Sequence, residues 1–254
     1  MHKANVYIRE HVIIGDSLNK ETVLNHSLTM VQANKLKREL YKDGLDYLYS
    51  SIVTFASALS SIEQGFYSWP TVKLYYSAFY ALRAQMAFDN ICVFYVGNKP
   101  YSIKAFQNES PVKEAGNTHK CVIDSHKRYY ASSDIHNQQI DLTLPFSWLT
   151  LLREQANYKK PKYCEPNPPE HLKAFTSGAT TTRDRLCSYV NDIQNLYTYD
   201  KDHAVVAMPL KTIDNAISSL KQSGSQFAEE DLCYIESLLT TEQQFSDSFG
   251  CLLN

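Results

Sequence analysis

The feature that most constrains the fold is the segment 72–88, which is apolar on almost every side of a helix rather than along one stripe. Such a helix is stable only where other parts of the protein cover most of its surface. Small residues at Ser77, Ala78 and Ala81 would let another helix approach closely. Pro70, just before it, suits a helix start. We therefore expect a mostly helical protein in which this helix is buried or completes its burial in an oligomer.

The segment before it has the spacing of one helix face. From Asn34 onward, apolar residues recur every three to five positions: Leu36, Leu40, Leu45, Leu48, Ile52, Phe55 and Leu59. Gly44 is a position where this helix is expected to break or bend. Gly and Pro are scarce, at 8 and 9 of 254 residues, which favours long helices over turn-rich β architecture.

The period changes after Asn90. Residues 91–96 are β-branched and aromatic, Gly97 and Asn98 follow, and a second short apolar run ends at Ile103. This pattern predicts a small β-hairpin near 91–103, inserted between helices. A polar loop is expected at 107–117.

Helical spacing returns in the rest of the chain. The predicted elements are a helix 118–130 with Thr118 as N-cap, irregular residues 131–143, a helix 145–158, a loop 159–169 with four prolines, a helix of roughly 170–198, a linker 200–207 and two shorter C-terminal helices. The first 33 residues lack this period. There, Val6, Ile8 and residues 12–14 predict a short strand or an extended arm, closed by Gly15-Asp16.

Composition narrows the class of protein. The formal net charge of −2 gives no global basic field of the kind that many nucleic-acid-binding proteins carry. The six cysteines form no CxxC pair, which argues against zinc ribbons and disulfide frameworks. No secretory signal and no run of about 18 apolar residues is found. We expect a cytoplasmic protein with no metal, no cofactor and no membrane contact.

Three stretches occur in an order that a known family shares. They are LYYSAFYALRA at 74–84, THKCVI at 118–123 and LREQANY at 152–158. Together they resemble the HEPN family, over roughly residues 40–198. The resemblance implies an up-and-down helical bundle, often dimeric, here at 34–199 with the hairpin inserted. Residues 1–33 would then be an arm or strand, and 205–254 a helical extension.

The resemblance also implies a link to RNA cleavage or to defence complexes. Catalytic members carry an Arg and a His on the same helix, with four to six residues between them; these groups suit activation of a 2′-hydroxyl and stabilisation of phosphate charge. In this chain Arg153 is followed at that distance by Tyr158, Lys159 and Lys160, with no His. Elsewhere only Arg128 and His136 come near such a spacing. The usual catalytic pair is therefore incomplete.

Several residues remain candidates for a site. Arg153 and Asn157 are four residues apart, so we expect them on the inner face of their helix, hydrogen-bonded within the bundle. The candidates for catalysis are Arg153, Asn157, Tyr158 and His119, and those for RNA or phosphate binding are Lys120, Arg83, Lys159, Lys160 and Lys162.

Each binding candidate has two interpretations. His119 and Lys120 lie at a predicted helix start, where they would bind a phosphate; the other interpretation is that His119 packs against the core or caps the helix. Arg83 binds a phosphate, or it forms a structural ion pair or lies at an interface. The three lysines near Tyr158 and Tyr163 bind single-stranded nucleic acid or are only solvated.

The leading hypothesis is a catalytically degenerate HEPN-like binding or assembly subunit in a microbial defence or toxin–antitoxin complex. Its partner would be a second copy or another protein, with RNA as a further candidate. The alternative is a divergent, metal-independent endoribonuclease that uses Arg153 and Tyr158; a third is a ligand-sensing bundle that regulates an enzyme. An assembly subunit requires a large apolar or Tyr-rich exposed face. A ribonuclease requires a polar cleft where Arg153 and a base converge.

Overall fold

The computed structural model describes residues 2–14, 19–178 and 180–241. It is 65% helical and has one small antiparallel sheet of three strands, so the mostly helical prediction is confirmed. The described residues fall into two compact units. Unit 1 lies within Met1–Tyr47, Leu82–Ala131 and Ser218–Gln226, and unit 2 within Leu48–Ala81, Ser132–Ile217 and Phe227–Asn254.

The helices, in chain order, are α1 (Lys3–Tyr7), α2 (Lys20–Leu24), α3 (Met30–Glu63), α4 (Ser68–Phe88), α5 (Thr118–Tyr129), α6 (Asp134–Asn137), α7 (Pro145–Glu154), α8 (Glu170–Thr176), α9 (Thr182–Val190), α10 (Leu196–Tyr199), α11 (Ala204–Ser223) and α12 (Glu229–Thr241). Two π-helical turns, Ile8–Val12 and Gln155–Lys159, continue α1 and α7. The predicted helix at 145–158 is therefore α-helical only as far as Glu154.

Helix α4 is the apolar helix predicted from the sequence. In unit 2 its side chains Leu74, Tyr75 and Ala78 are fully buried. Close approach to α3 occurs at a pair of serines. Ser51 Oγ donates to the carbonyl of Ser77 at 2.7 Å, and Ser77 Oγ donates to that of Ser51 at 3.0 Å. The small residue at position 77 thus brings the two helices together, as its size suggested.

Helix α3 continues through Gly44, so the expected break is absent. Gly44 instead allows the ring of Phe88 to pack directly against the backbone of α3 in unit 1. A Cβ atom built on Gly44 would lie 2.7 Å from Cε1 of Phe88, a buried ring near the end of α4. Glycine is needed here because the ring of Phe88 occupies the space of a side chain.

The predicted hairpin is confirmed and gains a third strand. Strands β1 (Ile91–Val96) and β2 (Lys99–Lys104) pair antiparallel, with Phe94 opposite Tyr101 and their rings stacked at 5.7 Å. Strand β3 (Val112–Lys113) pairs with β2, within the stretch expected to be a polar loop. Both stacked rings are buried in the core of unit 1.

The short strand or extended arm expected in the first 33 residues is wrong for residues 3–12, 20–24 and 30–33, which are helical. Ala4, Ile8 and Val12 are buried at a spacing of four, which is the spacing of one helix face rather than of a strand. Asp43 anchors this segment, because its carboxylate accepts the backbone N–H groups of Lys3 at 2.8 Å and Ala4 at 2.9 Å. The predicted turn at Gly15-Asp16 lies outside the described residues.

The single long helix expected at 170–198 is also wrong, since α8, α9 and α10 occupy that stretch. Gly178, just after α8, has φ of +68°, and Asn195, just before α10, has φ of +55°. The left-handed Gly178 ends α8, and the left-handed Asn195 directly precedes α10; apolar spacing alone reveals neither. Helix α11 begins at Ala204, inside the predicted linker. Residues 242–254 of the predicted C-terminal extension lie outside the described residues.

Replacing Gly44 by Ala tests the contact with Phe88. In an open helix position, Gly to Ala stabilises by up to about 1 kcal/mol. Here the added methyl group meets a buried ring, so we expect the free energy of unfolding to fall by roughly 1–3 kcal/mol. Urea unfolding of Gly44→Ala, Phe88→Leu and the double variant would show coupling that relieves part of the loss. A Gly44→Ala protein as stable as the wild type would contradict the close contact.

Candidate functional site

A small cleft in unit 2 lies between the first turns of α4 and the segment that follows α7. It is lined by Ser68, Thr71, Leu152, Gln155, Ala156, Lys160, Lys162, Tyr163, Cys164, Pro169 and His171, and its empty volume, open solvent included, is about 350 Å³. Two of the predicted phosphate-binding lysines, Lys160 and Lys162, therefore share one cleft. The polar groups from α4 and α8 that join them were not singled out from the sequence.

Glu165 attaches the proline-rich loop 159–169 to the start of α4. Its Oε1 accepts the backbone N–H groups of Tyr67 and Ser68, both at 2.8 Å, and its Oε2 accepts the hydroxyl of Ser68 at 2.8 Å. The first N–H groups of a helix have no partner within the helix, so this carboxylate acts as a cap supplied from a distant loop. The backbone N–H of Cys164 adds a bond to Ser68 Oγ at 3.3 Å.

The charge of Glu165 is stabilised by these bonds. Burial by itself raises the pKa of Glu165, but the hydrogen bonds from Ser68 and Tyr67 outweigh it and lower the pKa to about 2. The carboxylate is therefore ionised at neutral pH. It also complements the positive end of the α4 dipole.

His171, on α8, contributes a neutral ring to the cleft. Burial, followed by the nearby charge of Lys160, lowers the pKa of His171 to about 4. Its Nε2 lies 3.0 Å from Thr71 Oγ1, and that hydroxyl donates to the carbonyl of Tyr67 at 2.9 Å. Because the hydroxyl proton is used there, Nε2 of His171 carries the proton and donates to Thr71.

Arg153 is placed by an aromatic ring rather than by hydrogen bonds. Its guanidinium lies 4.7 Å from the centre of the buried Tyr75 ring, and Nη2 is 3.6 Å from a carboxylate oxygen of Glu154. Its Nε is buried and has no hydrogen-bond partner among the described residues. We predicted that Arg153 forms hydrogen bonds within the bundle. For Nε this prediction is wrong, because the guanidinium stacks on the ring of Tyr75. Asn157 lies half-buried in the π-helical turn.

Exposed aromatic side chains and lysines line the cleft or lie close in sequence to residues that line it. Tyr163 is 53% exposed and lines it, Trp69 is 51% exposed and follows Ser68, and Tyr158 is 75% exposed at the end of the π-helical turn. Lys159 pairs with Glu154 at 2.9 Å, which partly neutralises its charge. We define the basic–aromatic surface as Trp69, Tyr158, Lys160, Lys162 and Tyr163.

The remaining candidates belong to unit 1. The guanidinium of Arg83 lies 4.1 Å from the centre of the Tyr47 ring. Asn117, not Thr118, is the N-cap of α5, and its Oδ1 already accepts the backbone N–H of Lys120 at 3.0 Å. His119 is half-buried in the first turn of α5 and Lys120 is exposed. None of these residues lines the cleft of unit 2.

Arg128 and His136, which come near the catalytic spacing in the sequence, belong to different units. The guanidinium of Arg128 forms an ion pair with the buried carboxylate of Glu114 and donates to Ser102 Oγ at 2.7 Å. Burial raises the pKa of Glu114, but hydrogen bonds with Arg128, Ser102 and Ser125, together with the charge of Arg128, outweigh burial and keep the pKa below the ordinary value. Arg128 is therefore part of a structural network in unit 1, whereas His136 is buried in unit 2.

Within the described ranges, no three His, Cys, Asp or Glu side chains are grouped to hold a metal ion. None of the helices in those ranges has the length and hydropathy to cross a membrane. No protein-family model, curated protein or solved structure matches the chain. The chemistry of the cleft and of the surface around it is therefore what bears on function.

Replacing Glu165 by Gln tests how the loop is held. Glutamine keeps the size of the side chain but loses the charge that strengthens hydrogen bonds from N–H donors. We expect the free energy of unfolding to fall by about 1–2 kcal/mol at pH 7, measured by urea denaturation. The pKa of about 2 in the folded state lies below the unfolded value of about 4.3. The difference should therefore persist above pH about 4.5 and shrink as the pH falls towards 2.

Glu170→Gln is the matched control, because that carboxylate is exposed and pairs with Lys173 at 2.6 Å on the same helix. Exposed ion pairs of this kind contribute little, so its removal should leave the free energy of unfolding nearly unchanged. Equal stability of Glu165→Gln and wild type at pH 7, or a loss that is unchanged at pH 2, would contradict the role given to Glu165.

Proposed function

We propose that this chain is a catalytically inactive, HEPN-like binding subunit whose basic–aromatic surface contacts single-stranded RNA. The observation that carries the proposal is the exposure of Tyr158, Tyr163 and Trp69 beside Lys160 and Lys162. Proteins that bind single strands combine cationic groups along the backbone with aromatic rings on which bases stack. Such stacking contributes roughly 1–3 kcal/mol per base and does not require a particular sequence.

The state of these side chains supports binding to an anion. Among the described residues, Lys160 and Lys162 take part in no ion pair, so their charges are not already neutralised. The neighbouring carboxylate of Glu165 is held by three hydrogen bonds at the start of α4. The local surface is therefore basic although the whole chain carries a formal charge of −2.

The two groups that RNA cleavage would need, a general base and an arginine free to contact phosphate, are not available in the cleft. A general base works best with a pKa near the operating pH, whereas the pKa of His171 is lowered to about 4 and its Nε2 proton is donated to Thr71. The side chain of Arg153 is only 14% exposed and lies against the Tyr75 ring, which leaves little of it for a phosphate. Binding without cleavage is therefore favoured over the ribonuclease alternative.

The likeness to HEPN proteins supports the same proposal. The three sequence stretches that carry it lie within α4, at the start of α5, and across the end of α7 into the π-helical turn. Members of that family act in defence and toxin–antitoxin complexes, and we propose such a complex as the setting. The exposed rings of Tyr158, Tyr163 and Trp69 also support a role as an assembly subunit, with a second copy or another protein as partner.

Fluorescence anisotropy with a labelled single-stranded RNA tests the binding surface. The double variant Lys160→Ala/Lys162→Ala should weaken binding and reduce the dependence of log K on log salt by roughly 0.7 for each phosphate that is no longer neutralised. Tyr163→Ala should weaken binding roughly tenfold because the stacked ring is removed, while Tyr163→Phe should keep it. Lys127→Ala removes an exposed lysine of α5 and should change nothing.

The same RNA should stay intact during prolonged incubation with the wild-type protein. Two results would contradict the proposal. One is binding that does not respond to the lysine and tyrosine variants. The other is cleavage of the RNA by the wild type that is abolished in a folded Arg153→Ala protein, which would establish the ribonuclease alternative.

A further inference from the structure

Helix α7 ends in a turn with a different hydrogen-bond register. It is α-helical from Pro145 to Glu154, and Gln155–Lys159 then forms a π-helical turn, in which backbone hydrogen bonds join residues five apart rather than four. Single π-helical turns occur frequently at functional sites. This one lies directly before Lys160, where the backbone becomes extended and the chain leaves the helix.

The turn decides on which side of the helix Lys159 lies. The buried face of α7 includes Phe146, Leu149 and Leu152. An uninterrupted α-helix would return Lys159, seven residues after Leu152, to this same face, because seven residues complete about two turns. There its charge would be taken out of water, which costs free energy. In the π-helical turn the side chain of Lys159 is instead 54% exposed.

An ion pair that an α-helix does not allow holds this arrangement. Lys159 Nζ lies 2.9 Å from Oε2 of Glu154, five residues earlier. On an α-helix, side chains three and four residues apart are neighbours, whereas those five apart are rotated by about 140° and point away from each other. The hydrogen bond from Lys159, followed by its charge, keeps the pKa of Glu154 below the ordinary value, so the carboxylate is ionised at neutral pH. Its Oε1 is 3.6 Å from Nη2 of Arg153, so Glu154 links the last α-helical turn to the end of the π-helical turn.

Part of the basic–aromatic surface starts from this turn. Tyr158, inside the turn, is 75% exposed, and Lys160 and Lys162 follow where the chain leaves the helix. Glu165 fixes the far end of the same segment at the start of α4. A segment that is held at both ends samples fewer conformations, so less entropy is lost when it binds a strand.

We propose that Glu154 is a positioning residue for RNA binding: its pair with Lys159 holds the π-helical turn, and the turn orients the part of the basic–aromatic surface that follows it. This role rests on the RNA-binding function proposed above. It gives Glu154 an effect opposite in sign to that of its charge. A carboxylate near lysines lowers the affinity for an anion by charge alone, whereas Glu154 raises the affinity by fixing the turn.

Fluorescence anisotropy with a labelled single-stranded RNA at low ionic strength compares Glu154→Gln with the wild type. Glutamine keeps the size of the side chain and removes the charge that holds Lys159. We expect the affinity for RNA to fall about two- to fivefold, which is the range that the loss of one exposed ion pair allows. In a Lys159→Gln background the same change should no longer weaken binding, because the pair is already absent.

Glu170→Gln is the matched control for charge. It removes the exposed carboxylate that pairs with Lys173 on α8, so it also frees a lysine, but it does not touch the π-helical turn. This variant should bind the RNA at least as tightly as the wild type, because one negative charge is lost.

Hydrogen exchange and thermal unfolding separate positioning from a general loss of structure. In Glu154→Gln the backbone amides of residues 155–160 should exchange roughly threefold faster, because the turn opens more often. The Tm should stay nearly unchanged, because an exposed ion pair contributes little to global stability.

Three results would overturn the positioning role while the wild type binds RNA. They are equal or tighter RNA binding by Glu154→Gln, a weakening that persists in the Lys159→Gln background, and unchanged exchange of the amides of the turn. A wild type that binds no RNA overturns the proposed function and this role with it. Faster exchange in Glu154→Gln would then show only that Glu154 holds the turn, so the two failures are distinguishable.

Discussion

The carboxylate of Glu165 is the interaction on which the candidate site depends. Residues 160–169 contain four prolines and have no regular structure that would fix them by itself. Three hydrogen bonds from the start of α4 hold Glu165, and these bonds bring Lys160, Lys162 and Tyr163 to the cleft. The anchor works because α4 is a long, buried helix whose first N–H groups need an external acceptor. The apolar helix α4 thus positions Lys160, Lys162 and Tyr163 through its first N–H groups.

The charges around the cleft favour binding over reaction. A buried histidine with a pKa of about 4 remains neutral at neutral pH, and its ring is fixed by Thr71. Arg153, which a catalytic HEPN protein would direct at phosphate, is stacked on Tyr75. The exposed groups are lysines and aromatic rings, which bind a strand without needing a defined protonation change. No His follows Arg153 at the spacing of a catalytic pair, and His171 is neutral at neutral pH; both observations support the proposed binding role.

The elements predicted correctly from the sequence are those whose apolar residues follow a regular spacing along the chain. Helix α4, the hairpin at 91–104 and helix α5 were found because their periods of 3.6 and 2 extend over whole elements. The helix expected at 170–198 was wrong because the left-handed Gly178 ends α8, and α9 ends at Val190, before the left-handed Asn195 that precedes α10. Lys160, Lys162 and Tyr163 were predicted as binding candidates because basic and aromatic residues are clustered in that stretch of the sequence. Glu165 and His171 were missed because their partners, Ser68 and Thr71, are 97 and 100 residues away in the chain.

Ultraviolet cross-linking of single-stranded RNA, followed by peptide mapping, tests most directly the claim that unit 2 binds RNA through this surface. Tyrosine and tryptophan side chains that stack on bases are the groups expected to cross-link. We predict modified peptides that contain Tyr158, Tyr163 or Trp69, and a loss of that signal when unlabelled RNA competes. Cross-links confined to unit 1, for example beside Lys120 or Arg83, or no cross-links at RNA concentrations that saturate binding, would contradict the account.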